Sequence, residues 1–203
     1  SLSGPCGGGG GGDGGWDDGG GLACGVSGDP FAPVLIPCAA PLLPDSADEE
    51  EFECPAKYQR WINAHGSDAA SIAKPLSTSE ANILALSAYE SGWGSGYFVI
   101  PQGQYPGNAF FNLETTKSRK NPNPKPFPYS TGWKPARGDS NVLVAQYNSY
   151  LDSAKSFAAV SGYLIQSVMD PRRFATILHA QGGFGISVGT FLQMEDVFSK
   201  CLE

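Results

Sequence analysis

The chain is poor in the residues that most often carry catalysis or bind metals. It has two histidines, His65 and His179, and five cysteines with no close pairing. Neither set has the spacing of a zinc site. No Ser lies in a Gly-x-Ser-x-Gly turn, so the nucleophile elbow of a serine hydrolase is absent. No apolar run approaches the roughly 20 residues that cross a membrane. Positive charge is missing from one whole region: residues 1–54 hold ten acids and no Lys or Arg. All 13 basic residues lie after that point, so the net charge of −7 divides into an acidic front and a mildly basic body. A weakly basic body suits an anionic polymer, nucleic acid or cell wall, without choosing between them.

What is present divides the same way. Residues 1–28 contain 14 glycines, including the run Gly7–Gly12. Such a segment buries too little surface to offset its ordering entropy and is expected to be a disordered linker. It is no phosphate-binding loop, because no strand precedes it and no Lys-Ser or Lys-Thr follows. Residues 29–44 mix Pro with apolar residues and suit extended chain. Asp45–Glu53 is an acidic, solvated run. The division expected is a tail over 1–54 and a folded domain over 55–203. The chain does not begin with Met and reads as part of a larger, processed protein. Cys54 and Cys201 bracket the body, and a bond between them would tie its ends. Reduced cysteines are the alternative.

The body reads as mainly helical. Tyr58, Trp61 and Ile62 predict a short helix ending before Gly66. Ser77 with Glu80 forms a capping box that starts a helix running to about Ser91 and stopping at Gly92. From Gly92 to Val142 turn formers dominate, and prolines exclude helix over 121–128. Val142–Tyr147 suits a short strand. Ser149 and Asp152 open a helix to about Ser167. Asp170-Pro171 opens another, ending at Gly182-Gly183. The last spans about 187–202. The long irregular stretch inside a compact domain is a functional signal.

Glu90 is the residue of most interest. Ile83 and Leu86 precede it by seven and four residues, so the carboxylate ends an apolar stripe. It also stands in the last helical turn, where the macrodipole disfavours an anion. Both effects raise a carboxyl pKa and suit a general acid. Periodicity alone favours the bland alternative, a surface glutamate turned to water. The loops that follow weigh against it, being crowded with Trp93, Tyr97, Phe98, Tyr105, Phe110, Phe111, Phe127, Tyr129 and Trp133. Aromatic faces beside polar groups commonly hold sugar rings. Lys117, Arg119, Lys120, Lys125, Lys134 and Arg137 make the same loops basic, a pattern also compatible with single-stranded nucleic acid. Glu90 has no role in nucleic-acid binding, so no nucleic acid partner is expected.

Glu90-Ser91-Gly92-Trp93-Gly94 after an apolar helix resembles the E-S-G-W-G signature of the glucosaminidase domain family, glycoside hydrolase family seventy-three. Asn108-Ala109-Phe110-Phe111 is similar to its N-x-F-G segment. Gln146-Tyr147-Asn148-Ser149 is similar to its R-x-Y-x-S junction. Arg173-Phe174 stands where the family has Arg-Tyr, and Gly183-Phe184-Gly185-Ile186-Ser187 where it has G-Y-A-T-D-P. Phe111 for Gly and Phe184 for Tyr are departures, the second removing a hydroxyl placed near the family's catalytic glutamate.

The resemblance covers residues 55–202. It implies a lysozyme-like helical domain with a long irregular or β-lobe insertion. It also implies a peptidoglycan hydrolase of the N-acetylglucosaminidase type, cutting β-1,4 bonds with Glu90 as acid. Glu114 and Asp139 are the candidates for a second carboxylate. Trp93, Asn108, Phe110, Tyr129, Tyr147 and Phe184 are expected to line the cleft. Neither cofactor nor metal is expected, and a monomer acting outside the cytoplasm or in the periplasm is. A lytic transglycosylase or muramidase of the same fold, or a non-catalytic glycan-binding module, are the alternatives.

Overall fold

A computed structural model describes residues 52–203, which belong to one compact unit. The expectations for the glycine-rich linker, the proline-rich piece and nearly all of the acidic run lie outside the described residues.

Helix α1 (Ala56–Leu76) leads directly to α2 (Glu80–Glu90). Three short strands follow, β1 (Glu114–Thr116), β2 (Gly132–Ala136) and β3 (Asp139–Gln146). Then come α3 (Tyr150–Ser161), a 3-10 turn over Gly162–Leu164, α4 (Pro171–Gln181) and α5 (Val188–Leu202). The arrangement is a mainly α, lysozyme-like fold with a β insertion.

Helix α2 is the centre. Every residue from Ala81 to Ala88 is buried, so it is covered on all sides rather than along one stripe. It packs between α1 and α5, and α3 packs on α1. Phe111, Phe157, Phe174, Phe191 and Phe198 fill the space around it, each wholly buried. Two buried polar side chains anchor its start. Thr78 Oγ1 donates to Val168 O at 2.6 Å, and Asn82 Nδ2 donates to Met169 O at 3.1 Å.

Three expected boundaries are corrected. Helix α1 does not stop before Gly66 but continues ten residues further to Leu76. Gly66 is buried, and a Cβ there would lie 3.3 Å from Glu80 Oε1 and 3.4 Å from Ile62 Cγ2. The glycine serves close packing instead of termination. The α1 helix ends at Ser77, in the left-handed region at φ 50°. Ser77 is therefore used up, and the N-cap of α2 is Ser79, whose hydroxyl accepts from Asn82 N at 3.0 Å. Helix α3 likewise stops at Ser161 instead of about Ser167. A Cβ on Gly162 would lie 2.8 Å from Leu76 Cδ2, so the chain tightens there against α1.

The sheet is antiparallel in the order β1-β3-β2, with β3 in the middle. Val144 pairs with Glu114 on one side and Lys134 on the other. The register shifts between Pro135 and Ala136, where proline has no N–H to give the ladder. Lys134, expected in a basic surface loop, is buried. Its Nζ donates to Tyr97 O at 2.9 Å and lies 3.6 Å from the Tyr97 ring centroid. It clamps the loop after α2 onto the sheet.

A disulfide joins Cys54, just before α1, to Cys201 in the last turn of α5. Among the described residues no helix is long and apolar enough to cross a membrane.

Candidate active site

The end of α2 is a tight, left-handed turn. Gly92, Trp93 and Gly94 have φ of 55°, 59° and 75°. Trp93 pays for that conformation, since a bulky side chain rarely adopts it. Its backbone N–H reaches Ala88 O at 2.8 Å, and Gly96 N–H reaches Ser91 O at 2.9 Å. The Ser91 hydroxyl donates to Ser87 O and accepts from Gly94 N at 3.0 Å. These bonds hold the residue before them, Glu90, at the exit of a fully buried helix.

Glu90 opens into a cleft of about 270 Å³. Three parts of the chain line it: the end of α2, Asn112–Glu114 leading into β1, and Gly182–Gly185 between α4 and α5. Glu90 Oε1 is buried and has no hydrogen-bond partner among the described residues. Burial pushes the carboxyl pKa up, and the negative charge of Glu114 pushes it further, to about 7. A carboxyl raised this far above its ordinary value retains its proton to higher pH than a free glutamate does. Glu114 is exposed at the start of β1. The pair is a poised acid facing an accessible carboxylate.

Two glycines of this wall, Gly182 and Gly183, are required by their surroundings or their backbone. A Cβ on Gly182 would lie 2.8 Å from Leu178 O and 2.9 Å from the Phe184 ring. Gly183 has φ 74°. Phe184 is 7% exposed, lines the cleft and meets Phe157 edge-on at 5.9 Å. Tyr89, next to Glu90, fixes this wall. Its hydroxyl accepts from Ser187 N–H at 2.9 Å and donates to Gly185 O at 3.4 Å.

Of the residues singled out in the sequence, Glu90, Glu114 and Phe184 meet in this cleft. The others do not line it. Asp139 stands at the β2–β3 hairpin, where its Oδ1 accepts from Asn141 N at 2.8 Å. Asn108, at φ 54°, donates from Nδ2 to Tyr147 O at 3.0 Å. Tyr147 is wholly buried, with its hydroxyl 2.9 Å from Ser156 Oγ, so it packs in the core of this structure. Tyr129 is exposed and lies apart from the cleft lining. Trp93 and Phe110 line a different cavity with Trp61. Tyr89 and Asn112 were not singled out, and Gly183 and Gly185 were noted only as part of a family-like segment. For Tyr89 the available signal was adjacency to Glu90, but a tyrosine in a buried helix reads as core. Among the described residues no group of three or more His, Cys, Asp or Glu is placed to hold a metal.

No family model matches the sequence, and no curated protein matches it. Solved structures do match the fold. A type VI secretion system effector–immunity complex from Pseudomonas protegens aligns at 23% identity and TM-score 0.52, over 72% of this chain and 93% of that one. A mutant of a peptidoglycan hydrolase from Sphingomonas sp. A1 aligns at 18% identity and TM-score 0.54, over 71% and 95%. The glycoside hydrolase domain of Salmonella typhimurium FlgJ aligns at 15% identity and TM-score 0.51, over 71% and 90%. The chain thus has the fold of glycoside hydrolase domains that include peptidoglycan hydrolases. The glucosaminidase-domain resemblance is met at the level of fold.

Proposed function

We propose that this chain is a cell-wall glycan hydrolase that cleaves a β-1,4 bond of peptidoglycan, of the N-acetylglucosaminidase type. Residues 55–203 form its catalytic domain. One observation carries the reading: Glu90, with a buried and unpartnered carboxyl oxygen whose surroundings raise its pKa, shares a cleft with the exposed Glu114. Two carboxyl groups whose surroundings separate their roles are the usual equipment for glycoside hydrolysis.

In this reading Glu90 gives its proton to the glycosidic oxygen as the bond from that oxygen to the anomeric carbon breaks. The departing sugar leaves as an alcohol. A water molecule then adds to the oxocarbenium-like carbon, and Glu114 accepts the water's proton. Asp139, at the hairpin, takes no part. Phe184 keeps the base of the cleft apolar, which favours the protonated form of Glu90. The fold shared with an effector–immunity complex and with peptidoglycan hydrolases supports a cell-wall substrate and action outside the producing cytoplasm.

Mass spectrometry of fragments from purified walls tests the bond. Reducing-end N-acetylglucosamine is expected. Reducing N-acetylmuramic acid would make the enzyme a muramidase, and 1,6-anhydro ends a transglycosylase. Walls that are bound but never cut would make it a glycan-binding module.

Tyr89 gives a second check. Tyr89→Phe removes one donor and one acceptor from the glycine wall. It is expected to slow wall clearance about 2–10-fold, as befits a net loss near 1 kcal/mol. The pH at which the Glu90-dependent limb falls should stay in place, because the carboxyl keeps its burial. Unchanged clearance would show that the 182–187 segment holds itself.

A further inference from the structure

A second cavity, of about 510 Å³, lies on the other side of the turn that carries Glu90. Its lining includes Lys57 and Arg60 from the first turns of α1, and Trp61, His65, Trp93 and Phe110. The same two chain segments wall both spaces. Glu90 and Asn112 face the first, while Trp93 and Phe110, three and two residues away, face the second. Three residues span at most about 11 Å, so one polymer carrying two kinds of group can reach both.

The lining has a definite chemistry. Lys57 and Arg60 are exposed and are spaced three apart, on one face of α1. Neither forms a salt bridge; the one ion pair among the described residues joins Lys200 to Asp196. No Asp or Glu lines the cavity. Lys57 Nζ sits 4.1 Å from the Trp93 ring centroid, which holds the cation at the mouth. Behind it the walls are interlocked rings. Trp61 meets Trp93 edge-on at 5.6 Å and Phe110 at 6.0 Å, while His65 stacks on Tyr150 at 4.2 Å. Trp61 Nε1 and His65 Nδ1 are buried without a hydrogen-bond partner. Both are closed to solvent in this conformation, so the two cations are the groups that recognise a ligand.

We propose that this cavity binds a carboxylate of the peptidoglycan stem peptide while the Glu90 cleft holds the glycan; the assignment of that polymer rests on the function proposed above. The sugars of the strand offer hydroxyls and N-acetyl groups, whereas the short stems of alanine and acidic residues carry its carboxylates. A carboxylate pairs with the Arg60 fork and the Lys57 ammonium. Alanine methyls pack on the Trp93 and Phe110 rings. The volume lies within the range of small-ligand pockets.

Titration calorimetry of the full chain tests this, with a tetrapeptide released from wall stems as the probe. Binding is expected, with at least ~10-fold loss in the double variant Lys57→Gln, Arg60→Gln, as two charge-assisted bonds are removed. Both side chains are exposed, so the fold survives. Amidating the peptide's carboxylates should cause a similar loss. Equal binding of the amidated peptide, or parent-like binding by the double variant, would overturn the proposal. So would an oligonucleotide that binds at this cavity where the peptide does not. The probe has no glycosidic bond, so Glu90→Gln should bind it like the parent. A chain that binds the peptide and never cuts walls would disprove the hydrolase and leave this site standing.

Discussion

Glu90→Gln is expected to lower the rate of wall clearance by about 10²–10⁴-fold, the range for a general acid. Gln keeps the shape and removes the proton. The parent should lose activity as pH rises through about 7, where Glu90 gives up the proton it must deliver. Clearance by the variant at the parental rate would remove Glu90 from the mechanism. Glu114→Gln is the companion variant, because Glu114 supplies part of the upward shift in Glu90. Without that charge, the alkaline limb should move to lower pH.

Glu90→Gln should also make the protein more stable at neutral and alkaline pH. The Glu90 carboxyl rises from an ordinary 4.5 to about 7 on folding. Below pH 4.5 both states hold the proton, and the group costs nothing. Between pH 4.5 and 7 the unfolded chain releases it first, and stability falls as the pH rises. Above pH 7 the loss reaches about 3 kcal/mol, at 1.36 kcal/mol per pH unit. Gln carries no such charge. It keeps a buried, unpaired oxygen, so the net gain expected above pH 7 is about 2–3 kcal/mol. Denaturant unfolding of both proteins at pH 4 and pH 8 checks this. The gain should appear at pH 8 and vanish at pH 4; a pH-independent difference would show that the folded state does not hold the proton.

Much of this geometry was legible because it is local. Asp170-Pro171 and Ser149 with Asp152 start helices where their backbone chemistry requires, and both caps form. Glu90 was expected to end an apolar helix, and it is the last residue of α2. Gly66 misled because close helix packing and helix termination use the same residue, and only the partner, here the start of α2, distinguishes them. Strands β1 and β2 escaped notice because three- and five-residue strands, one containing Pro135, have no periodicity of their own. Their order comes from pairing with β3. Tyr147 was misplaced for a related reason. An aromatic at a strand-to-helix junction suits a cleft or a core equally, and the hydroxyl of Ser156, nine residues on, decides for the core. Trp93 and Phe110 were expected to line the cleft with Glu90, whereas they line a separate cavity beyond the left-handed turn at 92–94.

Removing the disulfide with Cys54→Ser and Cys201→Ser is expected to destabilise the domain by about 4–5 kcal/mol. The bond closes a loop across a sequence separation of 147, so it restricts nearly the whole of the domain over residues 52–203 when that domain unfolds. Against a usual total of 5–15 kcal/mol, that is a large share. At ~2–4 °C per kcal/mol for a chain of this size, the melting temperature should fall by roughly 10–20 °C. Reducing the parent with a thiol should give the same shift; a shift under a few degrees in either experiment would show that the ends hold without the bond. The effect should also reach the site. Phe198, on the final turns of α5, stacks on Trp93 at 5.8 Å and meets Tyr58 at 4.8 Å. Freed from Cys54, the end of α5 can fray, and the ring beneath the Glu90 turn loosens first. Activity of the reduced parent should therefore decline with warming before the bulk of the helical signal is lost. A domain built this way gains its full stability only where the disulfide forms.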